Sequence, residues 1–88
     1  MTPPEELKVL IIKQLMPVWA NWVAQDQDGK WWLYQAEPLL HHCGWYENEI
    51  GMYKLLGHST ESNDWQQQLY RLKDIQPGSE NIGKDPYR

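Results

Sequence analysis

The chain has 88 residues, a net charge of −4, one cysteine, six tryptophans, five tyrosines and no phenylalanine. That length holds one domain of modest buried fraction, and a lone Cys43 excludes an intramolecular disulfide. No apolar run reaches the ~18 residues of a membrane span.

Thr2-Pro3-Pro4-Glu5-Glu6 is a helix start. Thr2 can cap, proline is tolerated in the first turn, and acids favour the positive end of the helix dipole. The helix is predicted to run to about Met16, because Pro17 disfavours helical geometry at the residue before it. Leu7, Leu10, Ile11 and Leu15 share one face by the 3.6-residue period, and Val9, Ile12 and Met16 share another. One stripe is expected to cover the core. The second, Val9, Ile12 and Met16, is a possible homodimer stripe. The apolar run 9–12 follows Glu5 and Glu6 rather than a basic region, so no secretory signal is recognised and a cytosolic protein is expected.

Val18 to Gln25 reads as a strand, Asp26-Gln27-Asp28-Gly29 as a turn, and Lys30 to Ala36 as the returning strand. Glu37-Pro38 ends it, and Leu39 to Gly44 reads as a loop. Trp45-Tyr46-Glu47 and Met52 to Leu56 look like two further short strands. A second helix is expected from Ser62 or Asn63, with Asn63 and Gln66 at capping-box spacing and Trp65, Leu69 and Leu72 on one face. The polar stretch 76–88 reads as a loose tail after a single domain of residues 1–75. The expected fold is α+β: a small antiparallel sheet of three to four strands flanked by an N-terminal and a C-terminal helix.

Every aromatic side chain here carries an indole N–H or a phenol O–H. Such rings suit places where one end is dry and the other meets a partner. Alternation along residues 30–36 sends Trp31 and Leu33 to one face and Trp32 and Tyr34 to the other. Either the second helix or the tail covers the second face, or some of Trp31, Trp32, Tyr34 and Trp45 form an exposed anchor cluster. The aromatic region is also the acidic one. Between residues 18 and 64 there are seven acids, Asp26, Asp28, Glu37, Glu47, Glu49, Glu61 and Asp64, against Lys30 and Lys54. That field repels duplex nucleic acid and attracts a basic protein partner. Asp26, Asp28, Glu47 and Glu49 are the candidate steering charges.

His41-His42-Cys43, with His58 further along, lacks the two separated ligand pairs of a structural zinc site. It reads as a loop with two histidines and a buried thiol, so no metal or other cofactor is expected. A Cys43 nucleophile served by a neighbouring histidine lacks the cross-fold geometry that catalysis assembles. Glu47 and Glu49 read as turn acids rather than an acid–base pair, and there is no phosphate-binding loop or dinucleotide fingerprint. No catalytic residues are assigned, and a non-enzymatic protein is expected.

The stretch Trp19-Ala20-Asn21-Trp22-Val23-Ala24-Gln25-Asp26, then Asp28-Gly29 and Trp31-Trp32-Leu33-Tyr34, resembles small uncharacterised proteins encoded by bacteriophages and prophages. Gly44-Trp45-Tyr46 and Asn63-Asp64-Trp65-Gln66 continue the likeness, which covers roughly residues 17–72. The resemblance implies a small phage accessory protein, of a kind that often binds and blocks a host nuclease or immune effector in the host cytoplasm. The expected function is therefore binding and modulation of a host protein through the acidic, Trp-rich surface. The alternative is an aromatic-lined module for a glycan or a single-stranded nucleic acid.

Overall fold

The structure is a computed structural model, and it describes residues 3–47 and 51–75. Helix α1 spans Glu5–Ile12. Six strands follow: β1 (Trp22–Gln25), β2 (Lys30–Tyr34), β3 (Leu39–Leu40), β4 (Trp45–Tyr46), β5 (Tyr53–His58) and β6 (Leu69–Arg71). Two single-turn 3-10 helices, Trp65–Gln67 and Leu72–Asp74, flank β6. The strands form two antiparallel sheets, one of four strands in the order β5-β2-β1-β6 and one ribbon of β3 with β4.

The described residues are therefore mostly β with one helix, which corrects the expected α+β sheet flanked by two helices. The segment expected to be a C-terminal helix supplies an edge strand instead. β1 would otherwise end the sheet with its outer backbone groups unpaired. Residues 69–71 pair with Trp22–Ala24, Gln25 N–H donates to the Gln68 carbonyl (3.1 Å), and Leu72 N–H donates to the Asn21 carbonyl (2.9 Å). Trp65 and Leu72 are still buried. Leu69, the third member of the expected stripe, is only half-buried, and the short apolar spacing fits several backbones. Leu39 and Leu40, read as loop, pair with Tyr46 and Trp45. The expected tail and residues 48–50 lie outside the described residues.

Helix α1 ends a turn earlier than expected. Its N-cap position is Pro4, with no side-chain cap bond, and Thr2 lies outside the described residues. The helix lies along the outer edge of β5 through residues four apart. Glu6 accepts from the Thr60 backbone N–H (3.3 Å) and hydroxyl (3.0 Å), Leu10 lies over Gly57, and the Gln14 amide donates to the Leu56 carbonyl (2.6 Å). This arrangement covers part of an otherwise open edge. Because the helix stops at Ile12, Leu15 falls off the core face and is exposed. Met16 turns inward to pack on the core, while Val9 and Ile12 stay exposed, so Val9, Ile12 and Met16 form no single outer stripe.

The core lies between α1, one face of the four-stranded sheet and the segment 72–75. It comprises Leu7, Ile11, Val23, Trp31, Leu33, Leu56, Leu72 and Ile75. The chain from β5 to β6 crosses the end of β1 and β2, and polar side chains fix it there. The Trp31 indole N–H donates to Ser59 Oγ (2.8 Å), and the buried Gln25 amide donates to the Thr60 carbonyl (3.1 Å). The turn between β1 and β2 closes tightly beneath this crossing. Gly29 sits at φ +92°, and a Cβ on it would clash with the Ser59 carbonyl oxygen.

Gly29→Ala is expected to cost about 1–3 kcal/mol, from left-handed backbone strain and that clash. Equilibrium urea unfolding of the two proteins measures the difference.

Candidate functional site

Adjacent residues on a strand leave the sheet on opposite sides. In β2, Trp31 and Leu33 therefore enter the core, and Trp32 and Tyr34 occupy the second face. Register fills that face from the other strands. Tyr34 stands between Trp22 and Tyr53, and Trp32 between Ala24 and Leu55. β6 adds Leu69 and Arg71.

Among the described residues the ribbon of β3 and β4 covers part of this face, no second helix does so, and the tail weighed as an alternative cover lies outside the described residues. The Tyr34 hydroxyl donates to the Trp45 carbonyl (3.4 Å). The Trp45 indole N–H donates to the Trp65 carbonyl (3.4 Å), and its backbone N–H to Asp26 Oδ1 (2.9 Å). Under this cover Ala24 and Tyr34 are buried. Toward β5 no described element covers the face. Trp32 is half-buried and tilts against Tyr53, with ring centroids 6.0 Å apart and planes at 55°. Tyr53 is 53% exposed and Leu55 43%. At the opposite edge the Arg71 guanidinium sits 5.2 Å from the centroid of the Trp22 ring.

Negative charge is concentrated beside this face. The Tyr34 phenol is held protonated well above the usual tyrosine range, first by burial and then by the carboxylates of Asp26 and Glu47. The Asp26 carboxyl is raised from its ordinary value, chiefly by burial and further by Asp28. The Trp45 N–H and Lys30 pull the other way.

The anchor and steering residues expected from sequence divide into groups. Trp31 is fully buried and Tyr34 nearly so, and neither is available to a partner. Trp32 and Trp45 are half-buried, with Trp45 engaged in pinning the ribbon. Asp26 holds that ribbon, and Asp28 accepts from Lys30 N–H (3.0 Å) with the Lys30 ammonium 3.7 Å away. Both acids therefore have structural partners. Glu47 is exposed, and Glu49 lies outside the described residues. Cys43, expected to be buried, is exposed. Tyr53 and Leu55 were missed as site residues. Their spacing within the expected strand 52–56 already placed them on one face, but nothing in the sequence showed which strand they pair with.

No family model matches the chain, and no solved structure does. The chain is similar to Scm-like with four MBT domains protein 1 of Rattus norvegicus, at 35% identity over 57 residues. That stretch takes in 61% of this chain and 7% of the relative's length. Among the described residues no helix is long and apolar enough to cross a membrane.

Two outcomes follow from the pinned ribbon. Asp26→Ala removes the acceptor for Trp45 N–H and is expected to cost about 1–3 kcal/mol. Asp26→Asn keeps an acceptor and relieves a buried charge, so it is expected to be at least as stable as wild type at pH 7 in thermal unfolding. For Tyr34, the folded state binds its proton more tightly than the unfolded state, whose phenol ionises near 10.0. This contribution to stability is complete below pH 10 and falls as pH rises above it. Urea unfolding between pH 9 and 11 is expected to show a steeper decline for wild type than for Tyr34→Phe.

Proposed function

We propose that the protein is a binding module rather than an enzyme: a small accessory protein of bacteriophage type that captures a basic segment of a host protein. The capture surface is the open half of the second sheet face, made by Trp32, Tyr53 and Leu55 with Glu47 at its margin. Binding there modulates or inhibits the host protein, and the host cytoplasm is the compartment this reading expects. A nuclease or another defence effector with a basic nucleic-acid-binding groove is the type of target that fits.

One observation carries the reading. An aromatic pair and a leucine stand partly bare on the sheet, and the carboxylates of Asp26 and Glu47 are close enough to act on the neighbouring Tyr34 phenol. Aromatic anchors supply desolvated contact area, and acids at the rim steer a basic partner in. Arg71 over Trp22 is the same chemistry within the chain. A partner's arginine or lysine would find an equivalent surface at Trp32, where a cation over an indole gains about 0.5–2 kcal/mol.

The alternative of stacking on a sugar or an unpaired base uses the same rings. It is disfavoured by the local excess of acids, since single-strand binders pair their aromatic platforms with a basic groove.

Tryptophan fluorescence of the full chain, titrated with an Arg- and Lys-rich peptide, a single-stranded oligonucleotide and an oligosaccharide, separates the two readings. The peptide is expected to give saturable quenching that weakens with added salt. Tyr53→Ala and Leu55→Ser are each expected to weaken it by about 1–2 kcal/mol. Glu47→Gln is expected to flatten the salt dependence. Saturable quenching by the oligonucleotide or the sugar, with the peptide silent, would overturn the proposal in favour of the ligand module.

A further inference from the structure

The tip of the β3–β4 ribbon brings together three metal-binding side chains that the surface described above does not use. His41 and Gly44 exchange backbone hydrogen bonds, from His41 N–H to the Gly44 carbonyl (2.7 Å) and from Gly44 N–H to the His41 carbonyl (3.3 Å). His42 and Cys43 form the two-residue loop between them. One imidazole nitrogen from each histidine and the Cys43 sulfur all lie within 4.8 Å of one another, and all three side chains are exposed. The two imidazole rings are tilted by 42° with centroids 4.1 Å apart, and the His41 ring meets Tyr46 edge-on at 6.0 Å.

We infer that His41, His42 and Cys43 form a site for a borderline-soft divalent cation, with zinc as its first occupant. Imidazole nitrogen and thiolate sulfur are the donors that zinc selects. Bonds of about 2.0 Å to nitrogen and 2.3 Å to sulfur place tetrahedral ligand atoms about 3.3–3.6 Å apart. All three side chains are exposed, so rotation about their own bonds is the movement needed to close that spread. Three protein donors leave a fourth position for water or for a donor from another molecule, the open arrangement of non-structural zinc sites.

Two further features favour a cation here. The loop is held by a rigid support, because the backbone N–H of the next residue, Trp45, donates to Asp26 Oδ1 (2.9 Å). A Cβ on Gly44 would come within 2.9 Å of that same oxygen. Cys43 also borders a depression lined by Asp26, Gln27, Asp28 and Glu61. Three carboxylates around one mouth lower the energy of an approaching cation. The sequence reading set this triplet aside because it lacks two separated ligand pairs. That requirement applies to closed structural sites, whereas a hairpin tip gathers consecutive residues into one cluster. The inference is independent of the proposed binding of a basic segment.

The test is a titration of the reduced, tag-free full chain with Co²⁺ followed by displacement with Zn²⁺. One Co²⁺ per chain is expected, with a thiolate-to-cobalt charge-transfer band that Zn²⁺ abolishes. Cys43→Ser is expected to remove the band. His41→Ala and His42→Ala are each expected to weaken binding by at least about tenfold, since even outer-sphere partners of a metal command about that factor. His58→Ala, whose ring bonds the Asp28 carbonyl instead, is expected to bind like wild type. Wild type that binds no more tightly than Cys43→Ser, one metal per two chains, or equal dependence on His58 would each overturn the site.

Discussion

Trp31 and Trp32 are neighbours on one strand, so their indoles leave the sheet on opposite sides, and the sheet acquires two apolar faces. A chain this short has little with which to cover both. The first face receives α1 and the segment 72–75, which enclose Trp31 completely. Truncating an aromatic so placed typically costs about 3–5 kcal/mol. Its indole N–H needs a partner once buried, and Ser59 provides one where the chain crosses from β5 to β6. Among the described residues the second face receives a ribbon of two dipeptide strands. That cover reaches Ala24 and Tyr34 and leaves Tyr53 and Leu55 partly bare. The candidate docking surface is the part of the second face that the ribbon does not reach.

Hydrogen bonds tie the ribbon to the rest of the fold. Asp26 makes one of them, as a half-buried carboxylate that accepts from Trp45 and stands against Gly44, where an added Cβ would come within 2.9 Å of its Oδ1. Burial opposes its charge while the Trp45 N–H supports it. Its field also acts on Tyr34, as does that of Glu47. The acids of this region therefore have different roles. Asp26 holds structure, Asp28 organises the turn with Lys30, and Glu47 stands free at the rim among the described residues. The same support holds the His41-His42-Cys43 loop in place, so one carboxylate underlies both the sheet cover and the proposed cation site.

Local features of the fold were legible in the sequence. The turn 26–29 with its left-handed glycine, the pairing of the strands on either side of it, and the opposite facing of Trp31 and Trp32 all follow from short-range rules. What failed was long-range. Residues 65–72 carry apolar residues at helical spacing, yet the open side of β1 draws Leu69–Arg71 into a strand. Leu39 and Leu40 carry no strand signal beyond two apolar residues, and their pairing depends on the hairpin that Gly44 permits against Asp26. Similar reasons govern the site. That aromatic rings would stand on both sheet faces was readable, but which of them stay exposed was not. Exposure depends on which strands lie at the edges, and β5 takes one edge while β6 takes the other. Trp31 and Tyr34 are thus interior, and Tyr53 and Leu55 replace them.

The central claim is that the uncovered half of the second face is the surface a basic partner meets. Amide and side-chain NMR shifts of the full chain, followed while an Arg- and Lys-rich peptide is added, test it most directly. The account predicts shifts concentrated at Trp32, Tyr53, Leu55 and Glu47, with the exposed outer side of α1 at Val9 and Ile12 unchanged. Shifts confined to Val9, Ile12 and Leu15, with the second face silent, would contradict it.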